Sequence, residues 1–171
     1  IRETVVAGID ESRLKAYHLG LAEAWEQVGE ADAETLARHY YEAGMPQQAL
    51  GFVIAAANKA AHALAFERAA GFYARALEFD GAGDVDWQDI RVRLAQSLAN
   101  AGMGAEAAKA FLEAAAGAQP SERLDLERLA AEKYISSGYI DEGLAVLRSV
   151  LARIGIGLPG NPLSSLVGLI F

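Results

Sequence analysis

The chain has 171 residues, 53% of them hydrophobic, with no cysteine and a formal net charge of −8. The missing thiols exclude disulfide staples and thiolate metal sites and fit a reducing, cytoplasmic setting, while the acidic balance disfavours a phosphate-binding surface and hence nucleic acid. About a fifth of the residues are alanine, four are proline, and few stretches are rich in Val, Ile or Thr, so composition points to an all-α protein.

Turn signals cut the sequence into helix-sized pieces. Residues 10–28 space Leu14, Tyr17, His18, Leu21, Trp25 and Val28 as a helical face, with Asp10 as N-cap and Gly29 as stop. A second helix is expected over 32–43, ending at Gly44. Pro46 sits where a first-turn proline is tolerated and opens a third helix to residue 63. The fourth spans 66–79 and closes at Gly81, Ala82 and Gly83. Asp86 with Asp89 resembles a capping box for a fifth, ending near Ala101. Three more are expected over 105–116, 121–137 and 141–154, and a short apolar one over 163–171 after a Gly/Pro stretch. No run approaches the roughly 18 to 20 apolar residues that span a bilayer. The chain starts at Ile1 without a methionine and stops at Phe171 inside an apolar run, as a piece of a longer protein would. Connections of a few residues force neighbouring helices antiparallel.

Aligning the turns exposes a repeat. Ala43-Gly44-Met45-Pro46-Gln47-Gln48-Ala49 matches Ala101-Gly102-Met103-Gly104-Ala105-Glu106-Ala107, and Ser137-Gly138-Tyr139-Ile140-Asp141-Glu142-Gly143 matches both. A fourth copy, Ala63-Leu64-Ala65-Phe66-Glu67-Arg68-Ala69, lacks the glycine. Small residues stand before these turns at Ala37, Ala57, Ala95 and Ala131, and after them at Ala49, Ala69, Ala107 and Gly143. A further set follows at Ala56, Ala76, Ala114 and Val150. Small side chains at helix crossings let backbones approach to the short end of the usual 8 to 10 Å range. Tyr40, Leu98 and Tyr134 in first helices, and Tyr73, Phe111 and Leu147 in second helices, supply the bulk between them.

This pattern resembles the tetratricopeptide repeat over residues 31–154, with a last offset of 36 residues but a first of only 20, so that the helix over 46–63 must serve two copies. The resemblance implies an α-α superhelix of eight to nine antiparallel helices. Residues 1–30 would be a helix following an upstream domain, and 155–171 a linker with a short apolar helix. Leu36-Ala37-Arg38-His39-Tyr40-Tyr41-Glu42-Ala43-Gly44, with Ala74-Arg75-Ala76-Leu77-Glu78 and the passage from Ser137 through Leu144 to Pro159, is similar to the helical region of bacterial STAND-type signalling ATPases, some of which carry a serine/threonine kinase domain. Ile1-Arg2-Glu3-Thr4-Val5-Val6 resembles the end of the winged-helix element that precedes it there. The chain itself has neither GxxxxGK[ST] nor a kinase HRD or DFG signature, so the resemblance implies a sensor or docking arm without catalytic residues or cofactor.

Chemistry-bearing motifs have plainer readings. Gly155, Gly157 and Gly160 spell GxGxxG, but a helix precedes them where a dinucleotide fold needs a strand, and Pro159 and Pro162 remove NH donors. His18, His39 and His62 lie about 20 residues apart, without the i,i+4 spacing of a helical metal site, and read as packing or surface residues. Asp80, Asp84, Asp86 and Asp89 lack EF-hand spacing and read as a solvated, capping loop. The expected function is therefore partner binding. Counting from the small residues, Arg38, Tyr41, Asn58, His62, Gln96, Asn100 and Glu132 are expected on a concave face that takes a protein or peptide. The runner-up is a small-molecule sensor, which a deep aromatic pocket would favour. The apolar C-terminus is expected to bury Phe171, against the last repeat or against a second copy.

Overall fold

The computed structural model describes residues 10–29, 31–79, 81 and 83–156. The winged-helix resemblance at 1–6, the short helix over 163–171, the burial of Phe171, and Asp80, Gly157 and Gly160 lie outside these residues. Among the described residues eight helices follow in chain order: α1 Glu11–Val28, α2 Ala33–Glu42, α3 Pro46–His62, α4 Phe66–Leu77, α5 Trp87–Asn100, α6 Gly104–Gly117, α7 Pro120–Ser136 and α8 Ile140–Arg153. No strand occurs among the described residues, and the protein is all-α. The helices fall into two compact units, α1 to α5 and α6 to α8. Within each unit every helix packs on its neighbours in sequence.

Helix starts follow the local chemistry. Asp32 accepts hydrogen bonds from the backbone NH groups of Glu34 at 2.9 Å and Thr35 at 3.3 Å. Asp86 accepts from the Asp89 NH at 3.0 Å, but the Asp89 carboxylate turns to Arg93, so only half of a capping box forms. Asp10 holds the N-cap position yet makes no side-chain cap bond; its carboxylate takes the Ser12 hydroxyl instead. Helix α4 ends at Leu77, two residues short of the expected end, because the Glu78 and Phe79 NH groups tighten to i−3 carbonyls.

The repeated turn is a Schellman motif. After α2, the Met45 NH reaches the Tyr40 carbonyl and the Gly44 NH reaches Tyr41, both at 2.9 Å, with Gly44 at φ 75°. The same pair of bonds recurs at Ala65 and Leu64, at Tyr139 and Gly138, and at Ile156 and Gly155. Leu64, at φ 59°, takes the left-handed conformation in the copy that lacks glycine. Gly155 is thus the stop of α8, which gives the first glycine of the GxGxxG string a purely backbone role.

All twelve small repeat positions are buried. In the first unit Ala37, Leu50, Val53, Ala57, Ala69 and Tyr73 share a core with Ala76 and Ile90, while Ala22, Leu36, Tyr40 and Ala49 form a second cluster under α1. In the second unit the backbones nearly touch. A Cβ on Gly143 would lie 2.5 Å from Ile135 Cγ1 and 3.0 Å from the Ala131 carbonyl oxygen. Arg123 closes the end of α6 by donating to the carbonyls of Ala115 at 3.0 Å and Ala116 at 3.1 Å, and Arg153 of α8 pairs with the largely buried Glu127 of α7.

Candidate partner-binding face

Of the seven residues expected on a binding face, six lie in the first unit, and five of these fall into two groups. Arg38, one residue after buried Ala37 and exposed on α2, lines a cavity of about 190 Å³ with Glu34, Thr35, Val53, Phe72 and Arg75. Tyr41 stands one turn further along α2. The Arg75 guanidinium lies 4.6 Å from its ring centre, and Phe79 meets the ring edge-on at 6.2 Å. Arg75 is thereby braced by an aromatic face on its neighbour, a cation–π arrangement that fixes a long side chain at little further entropic cost. Neither Arg38 nor Arg75 makes an ion pair among the described residues. The one carboxylate in this cavity, Glu34, is engaged by Arg68 of α4, whose guanidinium also sits 5.7 Å from the Phe72 ring centre. An adjoining cavity of about 240 Å³ shares Glu34 and Phe72 and adds Lys59, Arg68 and the alanines Ala56 and Ala60.

The second group is built on a hydrogen-bond relay. Tyr73, buried on α4, donates its hydroxyl hydrogen to Asn58 Oδ1 on α3 at 2.6 Å. Arg93 of α5 bonds both the Tyr73 hydroxyl and Asp89, contacts that raise its pKa, the Asp89 bond first. Gln96 and Asn100 join Tyr73, Arg93, Ser97 and Phe66 around a cavity of about 110 Å³. Asn58 is therefore half-buried and committed to its neighbour helix. His62 is exposed in the last turn of α3 and lines neither group's cavity. Glu132 belongs to the second unit, where Lys133 and Arg128 of its own helix hold it at 3.1 and 3.5 Å.

Sequence reasoning missed Arg75, Phe72 and Arg93. Each reaches a neighbouring helix across the hairpin, and the small-residue count follows one helix at a time. The fold also joins two of the three histidines. His18 of α1 and His39 of α2 place their Nδ1 atoms 2.9 Å apart, with ring centres at 5.1 Å. Burial, then His18, then Arg38 lower the pKa of His39, against an opposing pull from Glu42.

The class defined by these features is an array of antiparallel helices joined by repeated left-handed turns. No protein-family model, curated protein or solved structure matches the chain.

Proposed function

We propose that this chain is a non-catalytic interaction and regulatory module, of tetratricopeptide type, within a larger signalling ATPase or kinase of the STAND kind in the cytoplasm. The observation that carries the reading is the face formed by Arg38, Arg75 and Tyr41. Two guanidinium groups without counter-ions of their own, one of them braced on an aromatic ring, stand on rigid helices. Arginine and tyrosine are among the residue types, with tryptophan, that are enriched at the energetic anchors of protein interfaces. A partner preferring one arrangement of the parent protein would shift its equilibrium by the difference in affinity. The tetratricopeptide likeness rests on the small-residue spacing and the recurring turn; the ATPase context rests on sequence resemblance. No described helix is long and apolar enough to cross a membrane.

The alternative, sensing of a small effector, is favoured less. The two cavities beside Arg38 and the one beside Gln96 hold about 110 to 240 Å³ each, below the roughly 300 to 1,000 Å³ of pockets that enclose metabolite-sized ligands. A broader depression of about 700 Å³ near Leu64, Phe66 and Asn100 is open to solvent and carries one aromatic ring. Cross-linking and affinity capture from the source cell, with the Arg38→Ala/Arg75→Ala double variant as comparison, test the reading. A specific partner that the double variant loses and Glu132→Ala retains is expected. Equal capture by all three proteins, or none by any, would discard it.

A further inference from the structure

The histidine pair, although His39 follows Arg38 directly in the chain, lines neither cavity of the Arg38–Arg75 face and has a chemistry of its own. At 2.9 Å, two imidazole nitrogens cannot both carry a hydrogen. One Nδ1–H donates and the other Nδ1 accepts, which fixes two different tautomers in the neutral pair. The two ring nitrogens thus converge on one small volume from separate helices, and both residues are only half-buried, so water reaches them. Nitrogens held at about 2.0 Å from a common metal stand roughly 2.8 Å apart at a square-planar angle and roughly 3.3 Å apart at a tetrahedral one. The observed spacing lies at the short end of that interval. Moving from a shared hydrogen to a shared metal asks for rotation about the broad histidine χ2 torsions, without displacement of either helix.

We infer that His18 and His39 form a binding site for a borderline divalent cation, Cu(II) in preference to Ni(II) or Zn(II), with the two Nδ1 atoms as cis ligands and water completing the shell. Imidazole nitrogens suit these ions, and Cu(II) stands highest among them for a given donor set. Magnesium and calcium, which demand oxygen ligands, are excluded from it. No group of three or more His, Asp or Glu side chains is placed to hold a metal among the described residues. With two protein ligands the site has fewer than the three or four that catalytic and structural metal sites carry. The proton balance closes: the Nδ1 hydrogen of the donor ring moves to its own Nε2 through solvent, two waters leave the metal, and the neutral pair releases no net proton.

The consequence falls on α1. Among its 18 residues only Ala22 is buried, while Tyr17, Leu21, Trp25 and Val28 remain exposed. Its polar links to α2 include the histidine contact and a hydrogen bond from the Tyr40 hydroxyl to Glu26. A cation bound by both histidines binds the docked helix and not the undocked one, so it holds α1 in place by mass action.

The test uses the full chain without a polyhistidine tag. Titration with Cu(II), followed by electron paramagnetic resonance, is expected to give one site with two coordinated imidazoles. His18→Gln and His39→Gln should each lose at least about tenfold in affinity, and His62→Gln none. Because a histidine variant could loosen α1 by itself, the wild-type chain is also titrated with Zn(II) while its imidazole nitrogens are followed by NMR. Selective shifts of the His18 and His39 Nδ1 signals are expected. Shifts centred on His62, copper affinity unchanged by both variants, or no binding at millimolar metal would each overturn the inference.

Discussion

Leu64 is the residue at which local preference and fold disagree most. It occupies the left-handed position that Gly44, Gly102, Gly138 and Gly155 fill in the other turns, at φ 59°, and the residue is 72% exposed. A side chain with a Cβ loses about 1 to 2 kcal/mol there, and little burial offsets it. Glycine removes that strain but adds backbone freedom to the unfolded chain worth about 0.5 to 1 kcal/mol. Leu64→Gly should therefore stabilise the first unit by about 0.5 to 1 kcal/mol, measured as a raised midpoint in urea. An unchanged or lowered midpoint would mean that Leu64 contributes packing its exposure does not suggest. Tyr40 is the opposite case, buried and satisfied. Its hydroxyl donates to Glu26, and that bond, with burial behind it, pushes the phenol pKa up to about 12. The unfolded phenol titrates near 10, so it loses its proton first as pH rises. The stability this group contributes is full below pH 10 and falls away as pH climbs through about 12. Alkaline unfolding of Tyr40→Phe compared with wild type should show the difference shrinking across that interval, and a constant difference would refute the hydrogen bond.

At the scale of helices, glycine separates contact from mere propensity. Gly51 lies exposed in α3, and a Cβ there meets nothing within 4 Å. Gly51→Ala should raise stability by about 0.5 to 1 kcal/mol through helix propensity alone. Gly143 in α8 gains the same propensity, yet its Cβ would press on Ile135 and on the Ala131 carbonyl. Overpacking of about 1 to 3 kcal/mol outweighs the gain, so Gly143→Ala should destabilise the second unit by about 1 to 2 kcal/mol. The same substitution is thus expected to change sign between two helices, and chemical denaturation of the pair decides it.

The contrast also marks what the sequence made legible. Close helix approach leaves a record of small residues at fixed spacing, and every one of the twelve so identified, from Ala37 to Val150, is buried. Turns leave a glycine, so helix order and ends could be read to within a residue or two, even at Leu64, which stands where the other turns have glycine, and at the tightened end of α4. Cross-helix partners leave no such record. Arg75 over Tyr41, Tyr73 to Asn58 and His18 to His39 depend on the rotation of one helix against another, which spacing along a single helix does not encode. The face around Arg38 was therefore half legible. Arg38 of α2 was named from the spacing, whereas Phe72 and Arg75 of α4, which line the same cavity, were not.

Taken over the whole molecule, stability should be graded within each unit, because packed helical arrays draw their stability from nearest-neighbour interfaces. In the first unit α3 buries Ala49, Leu50, Val53, Ala56, Ala57 and Ala60, whereas α1 buries Ala22 alone. In the second, α6 buries six residues and α8 only Gly143 and Val150. Each small apolar side chain removed from water contributes on the order of 25 cal/mol per Å² of its area, so these differences amount to several kcal/mol of local opening free energy. Amide hydrogen exchange should rank α3 slowest and α1 fastest in the first unit, and α6 slower than α8 in the second. The outer face of α1 sharpens the prediction. Tyr17, Leu21, Trp25 and Val28 are 42 to 62% exposed and hold apolar surface that its own packing leaves in water. Any ligand or partner covering that surface should slow α1 without altering α3, since only the interface at that end gains area. Uniform protection across all five helices of the first unit would instead mean that it opens as one cooperative block, and the nearest-neighbour picture would fail for this chain.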